Sequence, residues 1–80
     1  MAHREIVSPL PGTFYRRPAP DQPPFAKEGD VIAAGAVVGL VEVMKTFNQI
    51  HADAGGRIVR FLVESEGAVE AGQALLVVEE

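Results

Sequence analysis

The chain has no cysteine, no tryptophan and a single tyrosine. Without cysteine there is no disulfide and no thiolate zinc site, which suits a reducing compartment; a cytoplasmic location and no bound metal are expected. Positive charge is also scarce. Seven scattered basic residues stand against eleven acidic ones, a net charge of −4, which excludes the electrostatic footprint of nucleic-acid binding. The one basic pair, Arg16-Arg17, reads as a solvated turn. No apolar run approaches the roughly 20 residues that cross a bilayer; the longest, Val31 to Val41, is broken by Gly35 and Gly39. Met1-Ala2-His3-Arg4-Glu5 has no apolar segment of the signal-peptide kind, and His3 is assigned to a frayed tail. No Ser-His-Asp, phosphate-loop or dinucleotide pattern is present. The chain is therefore expected to catalyse nothing by itself.

What is there is apolar and small. Of 80 residues, 48% are hydrophobic, mostly Val, Ala, Leu and Ile, a mix suited to a thin β core. The length predicts one domain, residues 1–80.

The chain also repeats itself. Glu28-Gly29-Asp30-Val31-Ile32-Ala33-Ala34-Gly35 resembles Glu66-Gly67-Ala68-Val69-Glu70-Ala71-Gly72. Each glycine that closes the block leads into an apolar run ending in glutamate, Ala36 to Glu42 and Gln73 to Glu79. Upstream, Gly12-Thr13-Phe14-Tyr15-Arg16 lines up with Gly56-Arg57-Ile58-Val59-Arg60. The first copy carries about six extra residues within 17–24, where Pro18, Pro20, Pro23 and Pro24 forbid an interior strand. This predicts a stiff protruding loop. Two copies, each too small to bury its apolar face alone, are expected to pack together as short strands with glycine turns. Strands are predicted over Val37–Val43 and Arg57–Val63.

Glu42-Val43-Met44-Lys45-Thr46 joins the copies, with Met44-Lys45 at a hairpin tip. In the repeat frame the equivalent place follows Glu79, so Lys45 and the chain ends fall at opposite ends. Glu42 and Glu79 read as strand-end charges, and His51 as a surface or packing residue. On spacing alone, Lys45 is an ordinary turn lysine.

Glu42-Val43-Met44-Lys45 resembles the E-A-M-K-M motif of biotinyl domains. Ser8 to Arg16, the proline-rich insert, Phe25 to Asp30, Asn48-Gln49-Ile50 and Leu62 to Ser65 are similar to the biotin carboxyl carriers of bacterial acetyl-CoA carboxylases. The resemblance runs from about Glu5 to Glu79. It implies an all-β fold, a flattened eight-stranded barrel or sandwich of two four-stranded sheets with quasi-twofold symmetry. It implies covalent biotin on Lys45, with Glu42, Val43, Met44 and Thr46 as flanks recognised by a biotin–protein ligase. It further implies that the domain carries carboxybiotin from a biotin carboxylase subunit to a carboxyltransferase subunit. The insert becomes a thumb, with Arg17, Pro18, Ala19 and Pro20 as residues able to meet the biotin. Val43 and Thr46 depart from the usual alanine and second methionine, and Arg17 stands where the thumb often has threonine. The alternatives are a lipoyl-type carrier, disfavoured by Met44 and Thr46, and an unmodified interaction module.

Overall fold

Burial separates central strands from edge strands. Leu75 to Val78 are buried without a break, as are Val38 to Val41. Such continuous apolar runs belong between two neighbours in a sheet and under a second sheet. The computed structural model, which describes residues 2–80, places them so. Among those residues the strands are β1 (His3–Val7), β2 (Gly12–Tyr15), β3 (Val31–Ile32), β4 (Val37–Val43), β5 (Thr46–His51), β6 (Gly56–Phe61), β7 (Gly67–Val69) and β8 (Ala74–Glu79). They form two four-stranded antiparallel sheets, ordered β1-β8-β6-β3 and β5-β4-β2-β7. Both sheets are open, so the molecule is a flattened sandwich and not a closed barrel. Phe14, Val38, Val41, Ile58, Leu75, Leu76 and Val78 fill the space between them.

The strand orders map onto each other: β4 on β8, β2 on β6, β5 on β1 and β7 on β3. The hydrogen bonds repeat the match. Gly35 N–H reaches the Ala52 carbonyl and Gly72 N–H the Ser8 carbonyl, both at 2.7 Å. At Gly12 an added Cβ would collide with the carbonyl of Glu42, and at Gly56 with that of Glu79. Gly12 and Gly56 are therefore equivalent, as the repeat predicts.

Three expectations change. The partner of Gly29 is Glu66, not Gly67: Gly29 N–H donates to the Ile58 carbonyl and Glu66 N–H to that of Phe14, and both take positive φ, 92° and 70°. From Gly12 to Gly29 the chain takes seventeen residues, against ten from Gly56 to Glu66, so the insert is one residue longer than the sequence match suggests. His3 is not frayed; it lies in β1 opposite Glu79, its Nε2 3.4 Å from the carboxylate. The strand predicted over Arg57–Val63 runs instead from Gly56 to Phe61.

Candidate functional site

β4 and β5 are paired from Val37–His51 to Val43–Thr46, which leaves Met44 and Lys45 as a two-residue turn. Both have positive φ, 50° and 68°. Left-handed conformation at both central positions is the type I′ geometry, whose twist matches that of the flanking strands. Asn48 braces the hairpin from inside: its side-chain amide donates to the carbonyls of Val41 and Thr46, each at 3.2 Å. The tip is rigid and open to solvent. Met44 is 93% exposed, and Lys45 and Thr46 are exposed beside it. Of the proposed flanks, Val43 turns inward and packs on the core, while Glu42 is half-buried on the outer face of the sheet.

Glu42 is more than a strand-end charge. The Tyr15 hydroxyl donates to its Oε1 at 3.0 Å. That hydrogen bond, helped by burial and by the charges of Glu42 and Glu66, holds the Tyr15 hydroxyl above the usual tyrosine pKa. Directly opposite Glu42 on β5 stands Phe47, 56% exposed, its ring 5.8 Å from that of Tyr15 and inclined by 58°. An exposed phenylalanine two residues from the lysine lies about 7 Å along the strand from it.

The residues 17–24 close into a loop whose roots are joined by the Phe25 N–H and the Arg16 carbonyl at 2.9 Å. Arg17, Pro18, Ala19 and Pro20 form one side of a cleft of about 410 Å³; Tyr15, Phe47, Ser65 and Glu66 form the rest. The structure thus brings Arg17, Pro18, Ala19 and Pro20 together with the outer face of the hairpin. Tyr15, Phe47, Ser65 and Glu66 escaped the sequence reading. The signal for Tyr15 was its outward phase beside buried Phe14. Phe47 gave a signal too, as an aromatic two residues past a turn.

An all-β sandwich with a pseudo-twofold axis and a lysine at the β4–β5 turn is a biotinyl/lipoyl-type domain. The chain belongs to the biotin-requiring enzyme family, whose model matches residues 4–78. It is 44% identical over 74 residues to the chloroplastic biotin carboxyl carrier protein of acetyl-CoA carboxylase from Glycine max, covering 92% of this chain and 28% of that protein. It is 43% identical over 72 residues to the corresponding carrier of Nostoc sp., covering 90% of this chain and 40% of the other. The chain spans less than half the length of these relatives. Among solved structures it resembles the urea carboxylase of Kluyveromyces lactis, with a TM-score of 0.81, 26% identity and coverage of 99% of this chain and 6% of that one. It also resembles a single-chain, multi-domain long-chain acyl-CoA carboxylase, with a TM-score of 0.77, 31% identity and coverage of 94% and 7%.

Proposed function

We propose that Lys45 is biotinylated and that the domain is a non-catalytic carrier, taking a carboxyl group from a biotin carboxylase to a carboxyltransferase of the acetyl-CoA carboxylase kind. The observation that carries this reading is the tip itself: an exposed lysine on a two-residue turn, in a chain that matches the biotin-requiring enzyme family. Lysine amines are protonated at neutral pH and acylate slowly, so a ligase must bring biotin in activated form and reach the amine from outside. A braced, solvent-facing turn allows that approach. Bound biotin supplies a ureido nitrogen that takes up and gives back the carboxyl group. Acylation removes the charge of Lys45 and leaves a long arm whose tethering keeps the reactive group at high local concentration.

The cleft suits a heterocycle with an apolar side and a polar edge. Its lining combines the aromatic residues Tyr15 and Phe47 with a guanidinium, a hydroxyl and a carboxylate, those of Arg17, Ser65 and Glu66. We infer that the arm rests there between visits to its partners. The cysteine-free chain fits a cytosolic carrier, and among the described residues no helix is long and apolar enough to cross a membrane.

The test is modification of the purified chain with biotin, ATP and biotin–protein ligase, read by streptavidin blot and intact mass. Wild type is expected to gain one biotinyl group and Lys45→Arg none, with thermal stability unchanged, since the side chain is exposed. No adduct on folded wild-type protein would sink the reading, and a lipoyl adduct from its native host would replace it.

A further inference from the structure

The 17–24 loop is held at its base by one side chain. Arg16 directly follows β2, and its guanidinium lies over the ring of Phe61 with the central carbon 3.8 Å from the centroid. Nη2 is 3.2 Å from Oε1 of Glu28, and the other oxygen of that carboxylate accepts the Phe61 N–H at 3.4 Å. The backbone of the same residue does two further jobs. Its N–H donates to the Ser65 hydroxyl at 3.1 Å, and its carbonyl receives the Phe25 N–H that shuts the loop. Arg16 thereby joins β6, the β6–β7 connection, Glu28 and both roots of the loop. Phe61 is anchored in turn, its ring 6.4 Å from that of Phe14 in the core.

This contact is sheltered. The Arg16 side chain is 24% exposed, and its Nε is buried without a hydrogen-bond partner. A cation over an aromatic face is worth more when desolvated, and a flat guanidinium can stack and pair at once where an ammonium cannot. The unpartnered Nε is the cost of that placement. The loop needs such an anchor. Within it the chain is tied by the Gln22 N–H to Ala19 carbonyl bond at 3.0 Å and by Arg17 Nη1 to the Gln22 carbonyl at 3.2 Å. It belongs to neither sheet ladder.

We propose that Arg16 is a positioning residue: stacked on Phe61 and paired with Glu28, it locks the 17–24 loop in the pose that forms the cleft with Tyr15 and Phe47. It acts on whatever enters the cleft through Arg17, Pro18, Ala19 and Pro20, without touching it. The effect on the arm rests on the reading of the cleft as its resting place; the effect on the loop does not.

Amide hydrogen exchange of the unmodified 80-residue chain tests the lock, with Arg16→Met, Arg16→Lys and Glu28→Gln as variants. In Arg16→Met the Phe25 amide is expected to exchange about tenfold faster, while the Leu76 and Val78 amides of central β8 keep their protection. Arg16→Lys, which retains charge without the flat stack, is expected to fall between. Unchanged Phe25 exchange in Arg16→Met overturns the proposal. Should Leu76 also lose protection there, Arg16→Lys and Glu28→Gln carry the test, and an unchanged Phe25 in both overturns it. The biotinylated protein then gives a second readout, exchange of the biotin ureido N–H, expected to quicken in Arg16→Met. A loosened Phe25 with unaltered ureido exchange supports the lock and overturns the resting place of the arm.

Discussion

Met44 and Lys45 take left-handed backbone conformations that side chains with a Cβ adopt at a cost of about 1 kcal/mol or more each. Turn preference alone would place asparagine and glycine there. Met44→Asn is therefore expected to stabilise the domain by about 0.5–1 kcal/mol, read from the urea midpoint at unchanged slope. Tyr15 offers a spectroscopic check of the neighbouring face, because it is the one tyrosine in the chain. Its pKa is raised, so the phenol stays protonated at pH values where a free tyrosine has begun to ionise. Absorbance titration should show this delay, and Glu42→Gln should shorten it by weakening the hydrogen bond that the phenol donates and by removing the carboxylate's charge. At this scale the sequence was legible where one stretch of chain makes the feature, as at the Met44-Lys45 turn. It was not legible where two strands contribute, as in Tyr15, Glu42 and Phe47. Their contact depends on a register between β2, β4 and β5 that no local pattern of residues states.

The two copies of the repeated element make matched experiments possible. Gly12 and Gly56 approach the carbonyls of Glu42 and Glu79 so closely that a methyl group has no room. Alanine at either is expected to cost about 1–3 kcal/mol, with Gly56→Ala the more damaging because Gly56 also has φ of 148°. Denaturant titration of both variants would rank them. Repeats, glycines and apolar runs made the pairing of the two halves readable, with β4 and, less its bounds, β6. The one-residue slip at Glu66 was not readable, since glutamate gives no hint of positive φ and the glycine beside it drew the alignment. Nor was β1, whose five residues bury only Ile6 and owe their order to pairing with β8. The link between Glu28 and the loop base carries a pH signature. Its own amide N–H first, then the Phe61 N–H and Arg16, hold the Glu28 carboxyl below the usual range despite opposing burial. A lowered carboxylate pKa stabilises the fold above the unfolded-state value, and the gain is lost as pH falls through the folded-state value. The melting temperature of wild type should therefore exceed that of Glu28→Gln near neutrality, and the gap should close in acid.

For the whole molecule, two thin sheets share one core, and eighty residues leave a narrow margin of stability. Leu76 is fully buried at the centre of its sheet. Leu76→Ala is expected to cost about 2–5 kcal/mol, a large share of the total, and to lower modification of Lys45 only in proportion to the unfolded fraction. Measuring both on one sample separates the scaffold from the tip it presents. The pseudo-twofold has a topological consequence as well. The pair His3–Glu79 occupies the place that Phe47–Glu42 occupies beside the lysine turn, and the Glu80 N–H reaches the Ala2 carbonyl at 2.9 Å where, in the other half, Val43 pairs with Thr46. Among the described residues the strands form a ring in connectivity that is open at the counterpart of the Met44-Lys45 link. The ring could be sealed there by a short turn and reopened at another loop. Of its two equivalent links, the Met44-Lys45 turn is the one that presents an exposed amine.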